Sequence, residues 1–403
     1  MRKTILILAV VMAGSMAIAQ SSSNIFIPAS SVERPEDVGL RMHTNYFMRF
    51  PDPTVRPEAP PPGTTVETPG SIACIYGLVA ATAGCPVATA TTVPTGGADT
   101  IVIVDAYDDP SALADLKTFS TQFGLPAPSF AKVYASGKKP ANACTSGWEG
   151  EEALDIQWAH AMAPKAKIVL MEAASNSSAD LFAAVLAANA YIAGTSSGKG
   201  EVSMSWGSSE YSLEGLYDPF MTAPFVVYFA SSGDSAGVSY PSASPMVVSA
   251  GGTRIMRNSS GNYTKQVGTT TCGSGCGGGI SAYEGRPTYQ DPVKSVVGAF
   301  RGTPDLASDS SADSPVWVYD SSCYNSWLSV WGTSVASPTL AGIINRAGSF
   351  NGASDLELTE IYNNRTNAAD YTDITTGSCS THSAKAGYDL CTGVGVVKGY
   401  GKK

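Results

Sequence analysis

From Asp99 onward, short apolar runs alternate with stretches whose apolar positions recur every three or four residues. Residues 100–104 form an unbroken β-branched run ending at Asp105, the signature of a strand buried on both faces of a parallel sheet. The runs at 166–171, 202–206, 225–230 and 246–250 repeat that signal. Between them, 111–123, 151–162 and 178–193 read as helices, the first halted by Gly124-Leu125-Pro126. This alternation predicts crossover units: an α/β fold in which helices cover both faces of a parallel sheet, within one large domain lacking internal repeats. In such sheets ligands bind beyond the carboxyl ends of the strands, so polar residues just after the apolar runs are the ones to examine.

The chain before Asp99 reads differently. Residues 1–19 combine a basic start (Arg2, Lys3), an apolar run and a small-x-small end at Ala17-Ile18-Ala19, which predicts a secretory signal cut after Ala19. A membrane anchor is the alternative, but the run is shorter than the roughly 20 residues a spanning helix needs. Residues 20–70 hold Pro51, Pro53, Pro57 and Pro60-Pro61-Pro62 with little apolar periodicity, and read as an extended, Pro-rich arm. The expected organisation is therefore signal 1–19, arm 20–70 and one large α/β domain over 71–403.

Composition narrows the function. Only 15% of the 403 residues are charged and the net charge is −9. No Lys/Arg run is present to track a phosphate backbone, so nucleic acid is not an expected partner, nor is a membrane once the signal is removed. Export also changes how the eight cysteines read: Cys74/Cys85, Cys272/Cys276 and Cys379/Cys391 are natural local disulfides, leaving Cys144 to pair with Cys323. A zinc site lacks partners, since His43, His160 and His382 are scattered.

Four places carry candidate chemistry. Gly332-Thr333-Ser334 precedes an apolar helical stretch, placing the Ser334 hydroxyl at a positive helix terminus; a simple N-cap is the plainer reading. Glu151 and Asp155 are four apart, so both carboxylates share one helix face and can share a proton, although acidic pairs on solvated faces are common. Ser232-Gly233-Asp234 follows an apolar run, where a turn is the ordinary explanation. Asp373 and Asp389 lie in Gly-rich loops that could offer oxygens to a hard cation, though aspartate in loops is unremarkable.

Taken together, these strings resemble the sedolisin family of secreted serine-carboxyl peptidases, which have a subtilisin-like fold. The likeness runs from about Thr68 to Gly395 and rests on ordered motifs: Ile103-Val104-Asp105-Ala106-Tyr107, the Glu151/Asp155 pair, Ser203-Met204-Ser205-Trp206-Gly207, Ser232-Gly233-Asp234, Gly251-Gly252-Thr253, Gly277-Gly278-Gly279-Ile280-Ser281, Thr303-Pro304-Asp305, Trp331-Gly332-Thr333-Ser334-Val335-Ala336-Ser337-Pro338 and the two Asp loops. The resemblance implies Ser334 as nucleophile, Glu151 as its general base, Asp155 as the support of Glu151, and Asp234 as the acid of the oxyanion hole. It further implies that Trp206 and Gly207 line the substrate cleft, with Asp105 extending the carboxylate network. A calcium ion (Ca2+) would be held by the Asp373 and Asp389 carboxylates and the carbonyls of Ile374, Lys385 and Gly387; Lys385 stands where the family usually has glycine.

The implied activity is endopeptidase cleavage of peptide or protein substrates in acid, by a secreted monomer. A carboxylate base suits acid because it still accepts a proton where histidine, with an ordinary pKa near 6.5, is already protonated. Asp234 must behave oppositely, since only a protonated carboxyl donates to an oxyanion. The family's precursors typically carry a large pro-domain, whereas here the Pro-rich arm alone separates the signal from the first matching motif. Two other readings stay open: a Ser/His/Asp hydrolase using His160 and Asp105, and a secreted binding protein that keeps the scaffold without turnover.

Overall fold

The computed structural model describes residues 25–51, 57, 66–87, 92–142, 144, 146–348 and 351–401. The expected signal and much of the Pro-rich stretch lie outside them. A ten-stranded sheet organises the domain. Across it run Ser129–Tyr134, Lys167–Ala173, Thr100–Ala106, Gly200–Met204, Val226–Ser231, Val248–Arg257, Leu306–Asp309 and Val396–Val397, each parallel to the next. Tyr371–Thr372 closes one edge antiparallel, and Tyr263–Gly268 pairs antiparallel with the long Val248–Arg257 strand.

Alternation along each strand divides the interior into two cores. Ile101, Ile103, Ile168, Leu170, Val227 and Phe229 face one way, onto the helices Ala112–Phe123, Trp148–Met162 and Ala336–Ala347. Val102, Val104, Val169, Met171, Val202 and Tyr228 face the other, onto Ser178–Ala193. Adjacent side chains of a strand point to opposite faces, so an unbroken apolar run is what a doubly covered sheet requires. The fold is a single α/β domain with helices on both faces, as the sequence pattern predicts.

Trp148–Met162 is buried along its whole length, acidic residues included. It packs against Ala336–Ala347 on the face of the sheet beneath the carboxyl ends of the central strands. The described part of the arm is not extended throughout: it makes two 3₁₀ turns, Ala29–Ser31 and Pro35–Asp37, before short strands woven into the domain. Phe47–Arg49 pairs with Ser326–Trp331, and His43–Thr44 pairs with Trp206–Ser209.

Disulfides join Cys74 to Cys85, Cys144 to Cys323 and Cys272 to Cys276. The expected Cys379–Cys391 bridge is a correction: both are free, buried thiols lying against one another. Cys379 Sγ is turned toward the Leu390 carbonyl, 3.7 Å away, rather than into a bond with Cys391. Hydrogen bonding to Cys379, together with burial, pushes the Cys391 thiol up, so it stays protonated. No described helix is long and apolar enough to cross a membrane.

Candidate active site

Ser334 lies on the turn leading into the Ala336–Ala347 helix, where Gly332 takes a φ of 120°. A Cβ on Gly332 would lie 2.2 Å from the Asn45 carbonyl oxygen and 2.4 Å from Asp234 Oδ2, so glycine alone lets the turn nest against those oxygens. The Ser334 hydroxyl is 2.9 Å from Glu151 Oε2 and 3.1 Å from the Ser205 carbonyl, both acceptors for its proton. It accepts in turn from the Asn45 N–H at 3.1 Å.

Glu151 stands in the first turn of its helix and Asp155 one turn later, where Ser205 Oγ donates to Asp155 Oδ1 at 2.9 Å. Burial, then Asp155 and Asp105, hold the Glu151 carboxyl well above the usual carboxylate range. Burial also raises Asp155, although the Ser205 and Glu151 hydrogen bonds pull the other way. One proton between Glu151 and Asp155 relieves two buried like charges at once. Asp105 lies behind them with neither oxygen hydrogen-bonded, raised by burial and by Asp155 and Glu172.

Asp234 follows the Val226–Ser231 strand. Its Oδ1 accepts from the Thr333 N–H at 2.7 Å and the Thr333 hydroxyl at 2.8 Å, while Oδ2 is buried without a partner. Burial pushes Asp234 up to about 8 against the pull of those two donors. The free oxygen is therefore a hydroxyl in acid, and it flanks the same point above Gly332 as the Asn45 carbonyl. A cleft of about 700 Å³ opens beside it, lined by Gly207, Asp234, Ser239, Asn45, Phe47 and Trp331 among others.

The predicted residues do not all take the expected stations. Gly207 reaches the cleft, but the Trp206 side chain lies wholly in the second core and donates Nε1–H to the Val104 carbonyl at 2.6 Å. The Trp206 backbone pairs with Thr44 of the arm. His160 sits nine residues beyond Glu151 on the same helix, about 13 Å along its axis. Its Nε2 faces the Pro126 carbonyl at 3.1 Å and burial lowers its pKa to about 4, so it joins no triad.

The two Asp loops do come together. Asp373 Oδ2 accepts from the Gly387 N–H at 2.8 Å, and Asp389 Oδ2 from the Lys385 N–H at 2.6 Å. Asp389 Oδ1 also ties down the Cys391 and Thr392 amides. The one described cluster of metal-type side chains, Cys144, Glu149 and Cys323, contains two sulfurs already bonded to each other.

No protein-family model matches the chain. Over 128 residues, 30% of the chain, it is 33% identical to sedolisin of Pseudomonas sp. (strain 101), and over 329 residues, 72% of the chain, 28% identical to kumamolisin of Bacillus sp. (strain MN-32). Those alignments span 21% and 56% of the relatives' own lengths. A solved structure of Pseudomonas sedolisin, a serine-carboxyl proteinase complexed with two molecules of pseudo-iodotyrostatin, superposes with a TM-score of 0.68 at 23% identity, covering 83% of this chain and 96% of that one. The chain is similar to sedolisin and kumamolisin. Its fold is subtilisin-like.

Three further residues of the site are not marked out by the sequence. Ser205 and Thr333 lie inside strings that were singled out, yet only the folded geometry shows Ser205 bridging to Asp155 and Thr333 pinning Asp234. Asn45, whose backbone meets Ser334 from 289 positions away, carries no local signal at all.

Proposed function

We propose that the chain is a secreted serine-carboxyl endopeptidase that cleaves peptide bonds of protein substrates in acid. The observation that carries this is the Ser334 hydroxyl donating at 2.9 Å to a buried glutamate, Glu151, rather than to a histidine. Ser334 Oγ attacks the substrate carbonyl as Glu151 takes its proton; Asp155, hydrogen-bonded to Glu151 and to Ser205, keeps Glu151 in place. The developing oxyanion receives hydrogen bonds from the Ser334 N–H and from the protonated Oδ2 of Asp234. Glu151 later returns the proton to the leaving amine. Asp105 extends the carboxylate network behind Asp155, and Gly207 borders the cleft, with Trp206 supporting it from the core beneath.

A calcium ion fits the Asp373 and Asp389 loops by the chemistry of the donors. Two carboxylates converge on residues 385–387, and no described backbone N–H donates to the carbonyls of Ile374, Lys385 or Gly387. Such an ion would supply charge that holds these loops together. Secretion agrees with the three disulfides.

The test is cleavage of casein between about pH 3 and 8 by the purified chain beside a Ser334→Ala control. Acid-dependent cleavage that the control lacks is expected. Cleavage at no pH would leave the binding-protein reading.

A further inference from the structure

Residues 41–45 of the arm cross the cleft on main-chain hydrogen bonds that any peptide could make. His43 and Thr44 pair antiparallel with Gly207 and Trp206. Opposite them, the Met42 N–H donates to the Asn176 carbonyl at 2.9 Å, and Arg41 bridges Ser177. At the end of this track the Ser334 N–H donates to the Asn45 carbonyl at 3.0 Å, and the Asn45 N–H donates to Ser334 Oγ at 3.1 Å. That carbonyl oxygen and Asp234 Oδ2 flank the same point above Gly332, so Asn45 stands where a substrate places the residue whose carbonyl is attacked. A peptide captured in this way takes affinity from its main chain and specificity from the pockets that meet its side chains.

The side chains along the track meet different partners. His43 Nε2 lies 3.5 Å from Asp37 Oδ2, and the Thr44 hydroxyl lies 2.7 Å from Ser30 Oγ and 2.8 Å from Ser31 Oγ, so the arm itself contacts both. Met42 sinks into the second core, an environment open to any apolar side chain. Asn45 makes a polar contact with the domain: its Nδ2 donates to Ser231 Oγ at 2.7 Å. Ser231 ends the Val226–Ser231 strand, three residues before Asp234, and is fully buried. Neighbouring hydroxyls are committed elsewhere, Ser205 to Asp155, Ser232 to the Gly277 carbonyl at 2.9 Å and Ser239 to the Ser208 carbonyl at 3.1 Å. Ser231 instead spends its oxygen on the asparagine amide.

We infer that Ser231 makes this enzyme selective for substrates with asparagine immediately before the bond that is cut. The inference rests on the peptidase reading and concerns peptides supplied from outside. An amide that reaches Ser231 exchanges its water for a hydrogen bond. Leucine has nearly the same shape but sets carbon against the buried hydroxyl and leaves that oxygen unpaired. Alanine stops short of it. Selection therefore comes from the one hydroxyl, while the main-chain track holds every peptide alike.

The experiment gives the purified full chain, at about pH 4, quenched fluorescent peptides that differ at a single position, Asn, Leu or Ala, in a common frame with an apolar residue three places earlier. Mass spectrometry of the products identifies the bond cut. The expected result is cleavage after Asn with kcat/KM about tenfold above Leu and Ala, the worth of one hydrogen bond, and an Asn-to-Leu ratio that falls to about one in Ser231→Ala. A general loss of folded enzyme does not move that ratio. Equal rates on Asn and Leu in the unaltered chain, or a ratio that Ser231→Ala leaves in place, would overturn the inference and leave the peptidase reading standing. Casein cleavage with all three peptides intact would do the same; cleavage of neither casein nor peptide would sink both.

Discussion

Replacing Asp234 with asparagine isolates the proton on which the oxyanion hole depends. In the folded chain Oδ1 is committed to the two Thr333 donors and Oδ2 is free, so the hydrogen bond available to an oxyanion requires a proton on Oδ2. Burial pushes that carboxyl up to about 8 with the arm over the cleft. Water admitted when the cleft opens weakens the desolvation that raises it, so the alkaline limb of activity lies at or below pH 8. Asparagine keeps the Oδ1 acceptor for Thr333 and puts an N–H where the carboxyl proton was, at every pH. Two pH units above its alkaline midpoint the wild type has lost about 100-fold in kcat/KM, one decade per unit of deprotonation. The Asn variant stays flat over that interval, although its weaker donor lowers the acid plateau. Asp234→Ala, which has no donor, loses about 10²–10³-fold in kcat on the acid plateau, and its gap from the wild type narrows along the alkaline limb as the wild type loses its own donor. The assay is hydrolysis of a quenched fluorescent peptide from pH 3 to 9, with near-ultraviolet circular dichroism at each pH to establish that the fold persists. An Asn variant that keeps the wild-type alkaline limb would refute the assignment.

Two further outcomes are expected. Glu149 and Asp109 are raised to about 7 and Glu172 to about 8, chiefly by burial, so between pH 4 and 7 the folded chain binds more protons than the unfolded one. Stability from these groups is complete below the unfolded pKa near 4 and is lost as pH rises through the folded values, at about 1.4 kcal/mol per group per pH unit. The melting temperature of Ser334→Ala, which cannot digest itself, therefore falls from pH 4.5 to 8; a rise over that range would contradict the assignment of these carboxyls as neutral. His160→Ala loses a buried ring and its contact with Pro126, costing about 1–3 kcal/mol of stability measured by urea unfolding, while kcat per folded molecule is unchanged. A loss of kcat comparable with that of Ser334→Ala would revive the Ser/His/Asp alternative.

The central strands were legible because a strand covered on both faces has no polar positions to confuse it. Ser129–Tyr134 was not, since this edge strand is only half buried and its Lys132 faces acids rather than core. The helix carrying Glu151 begins three residues earlier than the spacing predicts, at Trp148, because the left-handed Gly147 rather than a polar cap sets its start. In the site, the four-residue spacing of Glu151 and Asp155 was readable from helix geometry, as was the turn before Ser334. Glu152 was passed over, though it is fully buried with neither oxygen hydrogen-bonded. Nothing in a single helix turn distinguishes a carboxyl facing solvent from one facing other carboxyls. The arm reads as extended from its prolines, but its partners Gly207 and Ser334 lie more than 160 positions away, and no local pattern encodes such a pairing.

The arm and the buried acids belong to one electrostatic argument. Asp105, Glu151, Glu152, Asp155 and Glu172 form a group in which Lys132, at Glu172, is the nearby cation that lowers a member's pKa. Carboxyls so placed cannot all ionise; they must be neutral or share protons. A base that is mostly protonated is a poor base, so activity on external substrate requires Glu151 to come down toward its ordinary value. What holds it up first is burial, ahead of either neighbouring aspartate. The arm contributes to that burial by laying Asn45 and Tyr46 over Ser334 and over the start of the Glu151 helix. Its departure would expose the nucleophile and hydrate the base in the same step. The internal peptide thus lies over the nucleophile and adds to the burial that keeps the base beneath it protonated.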